Sequence, residues 1–231
     1  MNAAANHPPP ETGTVLTTLV RVTMLRFFRG RALWVSVFIG MLPFILAFLL
    51  KGMSSFEPVE VVQVLVLALL PPMFVGASVG EELEDKTITY LWSRPIPRWS
   101  IIVGKLIGLV PLAMMLLVGG MVLSHLWFFG QPPPGRSVGA IALGTLVIAM
   151  MSAGLATLVP RHAMALSIVY LIILDLPLGA IPASISRISI TQQVAALSER
   201  GAPVVEHVVW LTGIGALWLA IALWRVRRLE A

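Results

Sequence analysis

A strongly charged stretch interrupts an otherwise apolar chain at Glu81–Lys105, which reads EELEDKTITYLWSRPIPRWSIIVGK. It contains eight of the 27 charged residues in the chain, and apolar segments long enough to cross a membrane lie on both sides of it. A bilayer interior does not tolerate such a density of unpaired charge. We therefore interpret Glu81–Ser100, called the connector below, as a water-facing link between two membrane spans.

The composition outside the connector indicates an integral membrane protein of the all-α class. Mean hydropathy is +0.91, 58% of the residues are hydrophobic and 12% are charged, whereas soluble domains carry about 25% charged residues. The 231 residues suffice for six helices of about 20 residues with short loops, which leaves no room for a large soluble domain. The absence of cysteine excludes disulfides and thiolate metal sites.

The apolar segments predict a single six-span domain over residues 15–231, after a disordered, proline-rich tail over residues 1–14. The predicted spans are Ala32–Leu50, Val59–Gly80, Ile101–Phe129, Val138–Val159, Ala163–Ile181 and Val208–Trp224. The longest of the predicted loops that follow the connector in the chain is the polar segment Pro182–His207. Its apolar residues suit a short interfacial helix: Ile185, Ile188, Val194 and Leu197.

A helical pattern precedes the first span. Apolar residues at helical spacing alternate with three arginines in this segment: Leu16, Leu19, Val20, Met24 and Phe27, with Arg21, Arg26 and Arg29. This pattern is typical of an amphipathic helix lying in the membrane interface. The alternative, left open by the sequence, is an inward extension of the first span.

The distribution of Lys and Arg predicts the orientation of the spans. With a cytoplasmic N-terminus, 12 of the 16 Lys and Arg residues fall on the inner side, in keeping with the positive-inside rule. Both termini and the connector are then cytoplasmic, and the protein crosses the inner membrane of the cell several times. Because these cations flank apolar spans, we interpret the sequence pI of 10.4 as a topology signal, and we expect no nucleic-acid partner.

Other motifs give little evidence of catalysis or metal binding. The segment Gly130–Ser137, GQPPPGRS, superficially matches a phosphate-binding loop, but its three prolines lack the backbone N–H donors that such a loop needs. We interpret it as a turn between spans. Neither His125 nor His162 has a second ligand at helical spacing, so we predict no metal site.

Asp175 is the one acidic residue that we place within the hydrocarbon region. Burying its charge costs roughly 2.5–3.5 kcal/mol on insertion scales, and Pro177 should disturb the helix beside it. The functional interpretation is a residue of the transport pathway or its gate. The alternative is a group near the outer end of the span that reaches water or an arginine.

The connector itself has three parts. An acidic segment continues from the second span, Thr87–Trp92 is amphipathic, and the prolines in Arg94–Arg98 end any helix there. A short acidic helix, a rigid turn and a basic rim would suit a socket on a cytoplasmic protein. An ordinary polar loop is the alternative.

The connector resembles the corresponding segment of the ABC-2 type permeases, the membrane subunits of a class of ABC transporters. That family shows an acidic run, Gly-Thr, several apolar residues, Leu-x-Ser-x-Pro-[Ile/Val]-Ser-Arg, and then Gly-Lys opening the next span. The matching residues here are Glu82, Glu84, Thr87, Leu91, Ser93, Pro95, Ile96, Arg98, Gly104 and Lys105. The chain departs from the pattern at Lys86 and Pro97, which affects the expected geometry of the turn.

The resemblance implies a half-size permease that dimerises with a second copy of itself and binds two copies of a separate cytoplasmic ABC ATPase. The connector would form the coupling helix in a cleft of that ATPase, through Glu81, Glu82, Glu84, Asp85, Thr87, Leu91, Ser93, Pro95 and Arg98. ATP and Mg would lie on the ATPase, so this chain would hold no cofactor and catalyse no reaction. Lipid would surround the remaining surface.

Three functions are compatible with this pattern. The first is a permease, favoured as an exporter. The second is a non-transporting anchor that passes ATPase-driven motion to envelope or motility machinery, and the third is a lone channel or scaffold. A socket for an ATPase disfavours the third. The loops predicted to lie outside are short, which favours transport over the movement of an external domain.

Overall fold

The computed structural model describes residues 12–30, 32–52, 55–84, 99–182, 184–199 and 201–228, and it confirms an all-α membrane protein. We number the α-helices in chain order: α1 Thr12–Arg29, α2 Ala32–Leu49, α3 Glu57–Pro71, α4 Ala77–Glu84, α5 Trp99–Phe129, α6 Gly135–Leu158, α7 Ala163–Val169, α8 Leu176–Ala180, α9 Ile190–Ser198 and α10 Val204–Arg228. Helix α1 begins at Thr12, inside the segment predicted to be a disordered tail.

Five helical stretches of the described chain are long and apolar enough to cross a membrane: Glu57–Leu83, Trp99–Phe129, Gly135–Leu158, Pro160–Ala180 and Val204–Arg228. Helices α1 and α2 form a sixth candidate, a pair bent by 78°. This bend separates α1 from the apolar α2. The geometry favours a helix along the membrane surface over a straight extension of the first span.

The second span is one helix with a wide turn in its middle. Helix α3 passes through the π-helical turn Pro72–Gly76 into α4. Pro71 and Pro72 provide no backbone N–H for the usual α-helical hydrogen bonds, and a π-turn is one way for a helix to continue past such a defect. The span reaches Leu83, beyond the predicted end at Gly80.

The fifth span contains a second wide turn. The 3-10 turn Pro160–His162 leads into α7, the π-helical turn Tyr170–Asp175 and then α8. Pro177 lies in the first turn of α8, so the predicted disturbance of the helix beside Asp175 is present as a π-turn.

Helix α6 lies at the centre of the bundle, because 67% of its most apolar 18-residue stretch is buried. Helix α10 lies at the edge, where only 11% of the corresponding stretch is buried. Close helix contacts depend on glycines. A methyl group at Gly120 of α5 would overlap the carbonyl oxygen of Gly40 in α2. Small residues at such crossings let membrane helices approach at backbone distance.

The loop before the last span is partly helical. It contains the 3-10 turn Ser184–Ile188 and helix α9. Val194 and Leu197 of α9 are buried, as expected for a helix that packs on the bundle, whereas Ile185 and Ile188 on the preceding turn are exposed. The predicted short helix is therefore present. Of the four apolar residues expected on it, Val194 and Leu197 lie on the helix and are buried, whereas Ile185 and Ile188 precede it.

The bundle has two chemically different ends. The connector end holds the end of α4, the start of α5 and the turn Pro160–His162. At the opposite end, Lys51 Nζ lies 3.9 Å from the centre of the Trp127 ring, and Phe56 contacts the rings of Phe128 and Phe129. Aromatic rings with nearby cations are typical of the level of the lipid headgroups.

Candidate functional site

A buried lysine lies at the base of the connector. Lys105 is on the first turns of α5, its side chain is 3% exposed, and its ammonium group lies 3.0 Å from Oε1 of Glu82 on α4. It also donates a hydrogen bond to the backbone carbonyl oxygen of Ser78. Ser78 and Glu82 are four residues apart on α4 and so lie on the same helix face. The ends of the two helices that bound the connector are therefore linked by one buried cation.

A second ion pair ties α1 to the same base. Arg26 Nη2 lies 3.2 Å from Oε2 of Glu81, and both side chains are more than half exposed. Such exposed pairs contribute little to stability, at most about 1 kcal/mol. Packing contributes more to the position of α1, because Gly104 and Gly108 of α5 leave room for Leu19 and Val20. These two glycines therefore let α1 pack closely against α5.

The second and fifth spans touch through backbone atoms near the connector. A methyl group at Gly80 would lie 2.7 Å from the carbonyl oxygen of Pro160, and one at Gly76 would lie 3.4 Å from the Cα atom of Met164. Contacts of this kind leave little room for sliding, because no flexible side chain separates the two helices. A displacement of α4 therefore acts directly on the start of the fifth span.

The other residues predicted to contact an ATPase are only partly described. Glu81 and Glu82 face cations of this chain, as given above. Glu84 is the last residue of α4, and its side chain lies outside the described residues, as do all atoms of Asp85, Thr87, Leu91, Ser93, Pro95 and Arg98. The coupling role of this set stays a prediction.

Asp175 is buried and fully hydrogen-bonded at the opposite end of the bundle. Its carboxylate, 2% exposed, accepts hydrogen bonds from the backbone N–H groups of Ile190 at 2.7 Å and Thr191 at 2.9 Å. The hydroxyl of Thr191 donates at 2.6 Å and that of Ser189 at 3.2 Å. The carboxylate thus lies at the N-terminus of α9, where the helix dipole and free N–H groups favour an anion.

This arrangement explains how the span accommodates the charge. Four donors replace the water lost on burial, which lowers the cost of burying an ionised group. The described partners of Asp175 belong to the loop before the last span, and none of them is the arginine that the alternative interpretation allowed. A role in the transport pathway stays a prediction, now beside a clear structural role.

Sequence reasoning missed the partners of Asp175, although a signal was present. The residues Ser189-Ile190-Thr191-Gln192 fit a capping box, in which Ser at the N-cap bonds the N–H of the third helical residue. In the structure, Ser189 Oγ accepts a hydrogen bond from the backbone N–H of Gln192 at 3.1 Å. That motif predicts that α9 starts at Ile190. In the structure, the N-terminus of α9 faces Asp175 near the end of the fifth span.

Arg136 was also missed as a structural residue. The sequence places it in the predicted turn Gly130–Ser137, whereas the structure places it in the first turn of α6. Its Nε donates to the carbonyl oxygen of Leu197 at 2.5 Å, and its Nη2 donates to that of Ala202 at 2.7 Å. Asp175 and Arg136 therefore hold the two ends of α9 against the bundle.

Comparison with known proteins identifies the family. A family model described as "ABC-2 family transporter protein" matches residues 64–206, more than half of the chain. The chain belongs to the ABC-2 transporter family. This confirms the resemblance drawn from the connector, and the matched region of this ABC-2 permease covers the connector, its base, Asp175 and α9. Comparison with curated protein sequences gives no match.

The family fixes the general role of the protein. ABC-2 permeases are membrane subunits of ABC transporters, generally without catalytic activity of their own, and they normally pair with a cytoplasmic ABC ATPase. The base formed by Glu82, Ser78 and Lys105 is the part of this ABC-2 permease where the connector joins the transmembrane bundle.

Proposed function

We propose that this protein is the transmembrane permease of an ATP-driven exporter, in which two copies of the chain work with two copies of a separate ABC ATPase. The proposal rests on the buried link between α4 and α5. Because Lys105 ties the two helices together, a force on the connector acts on both spans at once. The contact of Gly80 with Pro160 then passes that movement to the fifth span.

A dimer is supported by the need for two docking sites. An ABC ATPase pair offers two equivalent surfaces, and one chain carries one connector, so a two-fold pair of permeases matches them. Large apolar side chains are exposed on the fifth and sixth spans, among them Ile173, Leu174, Val209 and Leu217. These would face lipid or the second copy.

The proposed orientation places both termini and the connector in the cytoplasm of a cell with an inner membrane, and it predicts the labelling of single cysteines. We expect that Ser93→Cys reacts with a membrane-impermeant maleimide only after the cells are permeabilised. Gln131→Cys, in the turn before α6, should react in intact cells. The chain has no native cysteine to interfere. Labelling of Ser93→Cys in intact cells would overturn the orientation.

Charge reversal in the connector tests the proposed function. We expect the double variant Glu84→Lys/Asp85→Lys to reduce the amount of co-purified ATPase by more than about tenfold. The acidic side of the connector should meet basic groups of the ATPase, and the two new lysines would repel them at close range. Substrate-stimulated ATP hydrolysis by the reconstituted complex should fall in parallel. The measurement is the ATPase to permease ratio after affinity purification from membranes.

The matched control for this variant is Glu206→Lys, which reverses an exposed charge in the first turn of α10, at the other end of the bundle. It should retain the wild-type complex. An unchanged complex yield and unchanged activity for the double connector variant would contradict the proposed docking.

A further inference from the structure

A cavity of about 720 Å³ lies at the end of the bundle opposite the connector. It is bounded by α3, α5, α6, α8 and α9, and its volume is in the range of sites for small organic ligands. Most of its wall is apolar, including Met121, Ile141, Leu176 and Val194. Val61 and Leu65, which also line it, are exposed on the side of the bundle. The cavity therefore borders the apolar surface around the bundle.

Three carboxylates surround the rim of the cavity. Glu57 and Glu60 come from the first turn of α3, and Glu199 follows the end of α9. All three side chains are exposed. The dipole of α3 favours acidic residues in its first turn, which accounts for Glu57 and Glu60. It does not account for Glu199, which follows a helix C-terminus, where a negative charge is unfavourable.

A buried amide also points to a ligand. Gln63 lines the cavity and is 8% exposed, and its Nε2 donates to the carbonyl oxygen of Leu117 at 3.2 Å. Because a carbonyl oxygen can only accept, this contact fixes the orientation of the amide. The other amide atom, Oε1, accepts no hydrogen bond from the described part of the chain. A buried acceptor without a donor is costly, and a ligand N–H would satisfy it.

Two of the hydroxyl donors that line the cavity are used by the protein itself. Ser124 Oγ donates to the carbonyl oxygen of Gly120 at 2.6 Å, and Ser198 Oγ donates to that of Val194 at 3.0 Å. His125 Nδ1 faces the carbonyl oxygen of Met121 at 3.2 Å and must carry a proton there, so Nε2 of the neutral ring is an acceptor. The polar atoms left for a ligand are therefore dominated by acceptors.

We propose that this cavity binds an amphipathic amine, whose protonated nitrogen lies among the rim carboxylates and whose apolar body lies along Val61, Leu65 and Leu176. An ammonium group supplies only donors and a positive charge, which suits acceptors and carboxylates. The guanidinium of Arg136 does not compete for the carboxylates, because it is engaged by the carbonyl groups of Leu197 and Ala202. As a cargo site, the cavity rests on the proposed export function.

Binding to the permease alone tests this site without the ATPase. The probe is rhodamine 6G, a fluorescent hydrophobic cation, titrated against the protein in phosphatidylcholine nanodiscs and followed by fluorescence anisotropy, with empty nanodiscs as the blank. We expect saturable binding to the wild type. The double variant Glu60→Gln/Glu199→Gln, which keeps shape and removes two charges, should bind about tenfold more weakly.

Two further variants separate the charge of the rim from general effects. Glu206→Gln removes an exposed carboxylate that lies in an ion pair with Arg187, and it should bind rhodamine 6G like the wild type. Gln63→Leu removes the deep acceptor and leaves the rim intact, so we expect a smaller loss than for the double variant. The anionic probe 8-anilinonaphthalene-1-sulfonate should not lose affinity in the double variant.

Two results would overturn the proposal: no saturable binding of rhodamine 6G to the wild type, or equal affinities in the wild type and the double variant. Failure of the export function has a different signature. If the cation binds as expected but charge reversal in the connector leaves the ATPase yield and ATP hydrolysis unchanged, the amine site stands and the proposed docking to an ATPase falls. If the cation binds but does not stimulate ATP hydrolysis by the reconstituted complex, the binding site stands and its role as a cargo site falls.

Discussion

Replacing Glu82 with alanine should lower the free energy of unfolding by about 3 kcal/mol, because it leaves the buried ammonium of Lys105 without its counter-charge. Replacing Lys105 with methionine should cost less. Methionine fills the same apolar space, and the carboxylate of Glu82, which is 26% exposed, can regain water. We expect the more exposed partner of this pair to be the less replaceable one. Denaturation by SDS in one fixed detergent measures the difference.

The double variant Glu82→Ala/Lys105→Met provides the internal test. It removes both charges, so it should recover most of the stability lost in Glu82→Ala, and the double-mutant cycle should give a coupling larger than about 1 kcal/mol. Glu81→Ala, which breaks the exposed pair with Arg26, is the matched control and should stay within about 0.5 kcal/mol of the wild type. Equal effects of Glu81→Ala and Glu82→Ala would refute a special role for the buried pair.

Replacing Asp175 with alanine should destabilise the protein by about 2 kcal/mol and release the N-terminus of α9. Two backbone N–H groups and two hydroxyls lose their acceptor, and this loss outweighs the benefit of no longer burying a charge. Hydrogen exchange of the amides of residues 190–192 should accelerate strongly. Asp175→Asn keeps one acceptor oxygen, so an intermediate effect is expected.

The graded series also addresses transport. Ser189→Ala removes the longest of the four hydrogen bonds to Asp175 together with the N-cap hydrogen bond from Gln192, so it should cost about 1 kcal/mol, less than Asp175→Ala. A pathway role predicts that Asp175→Asn changes the transport rate at equal membrane abundance and with normal binding of the ATPase. If transport by Asp175→Asn equals that of the wild type while amide exchange in α9 is faster, the pathway role is refuted and the structural role is retained.

The fold was predictable because hydrophobic length and charge placement carry most of the information about a membrane bundle. The connector stood out for its charge, and the prolines at 71, 72 and 177 marked the places where the helices depart from α geometry. Glycines four residues apart, as in Gly76/Gly80 and Gly104/Gly108, are typical of close contacts between membrane helices. Their partners depend on which helices become neighbours, and helical spacing within one span does not contain that information.

The site was predictable only where the signal is local. The capping box at Ser189 was readable from four consecutive residues, yet its contact with Asp175 joins segments 14 to 16 residues apart. The pair of Glu82 with Lys105 joins the two sides of the connector, and the cavity needs five helices from separate parts of the chain. Such contacts follow from tertiary packing, which no periodicity in a single segment reveals.

The two π-turns also set a rule for changes in chain length. A π-turn accommodates one residue more than an α-helical turn of the same height. Deleting one residue within Pro72–Gly76 or Tyr170–Asp175 should therefore remove the wide turn while the two halves of the helix keep their relative orientation. A deletion elsewhere in the same spans rotates everything beyond it by about 100°. In each of these two membrane helices, the chain can thus lose one residue at the π-turn without a change in the direction of the side chains that follow.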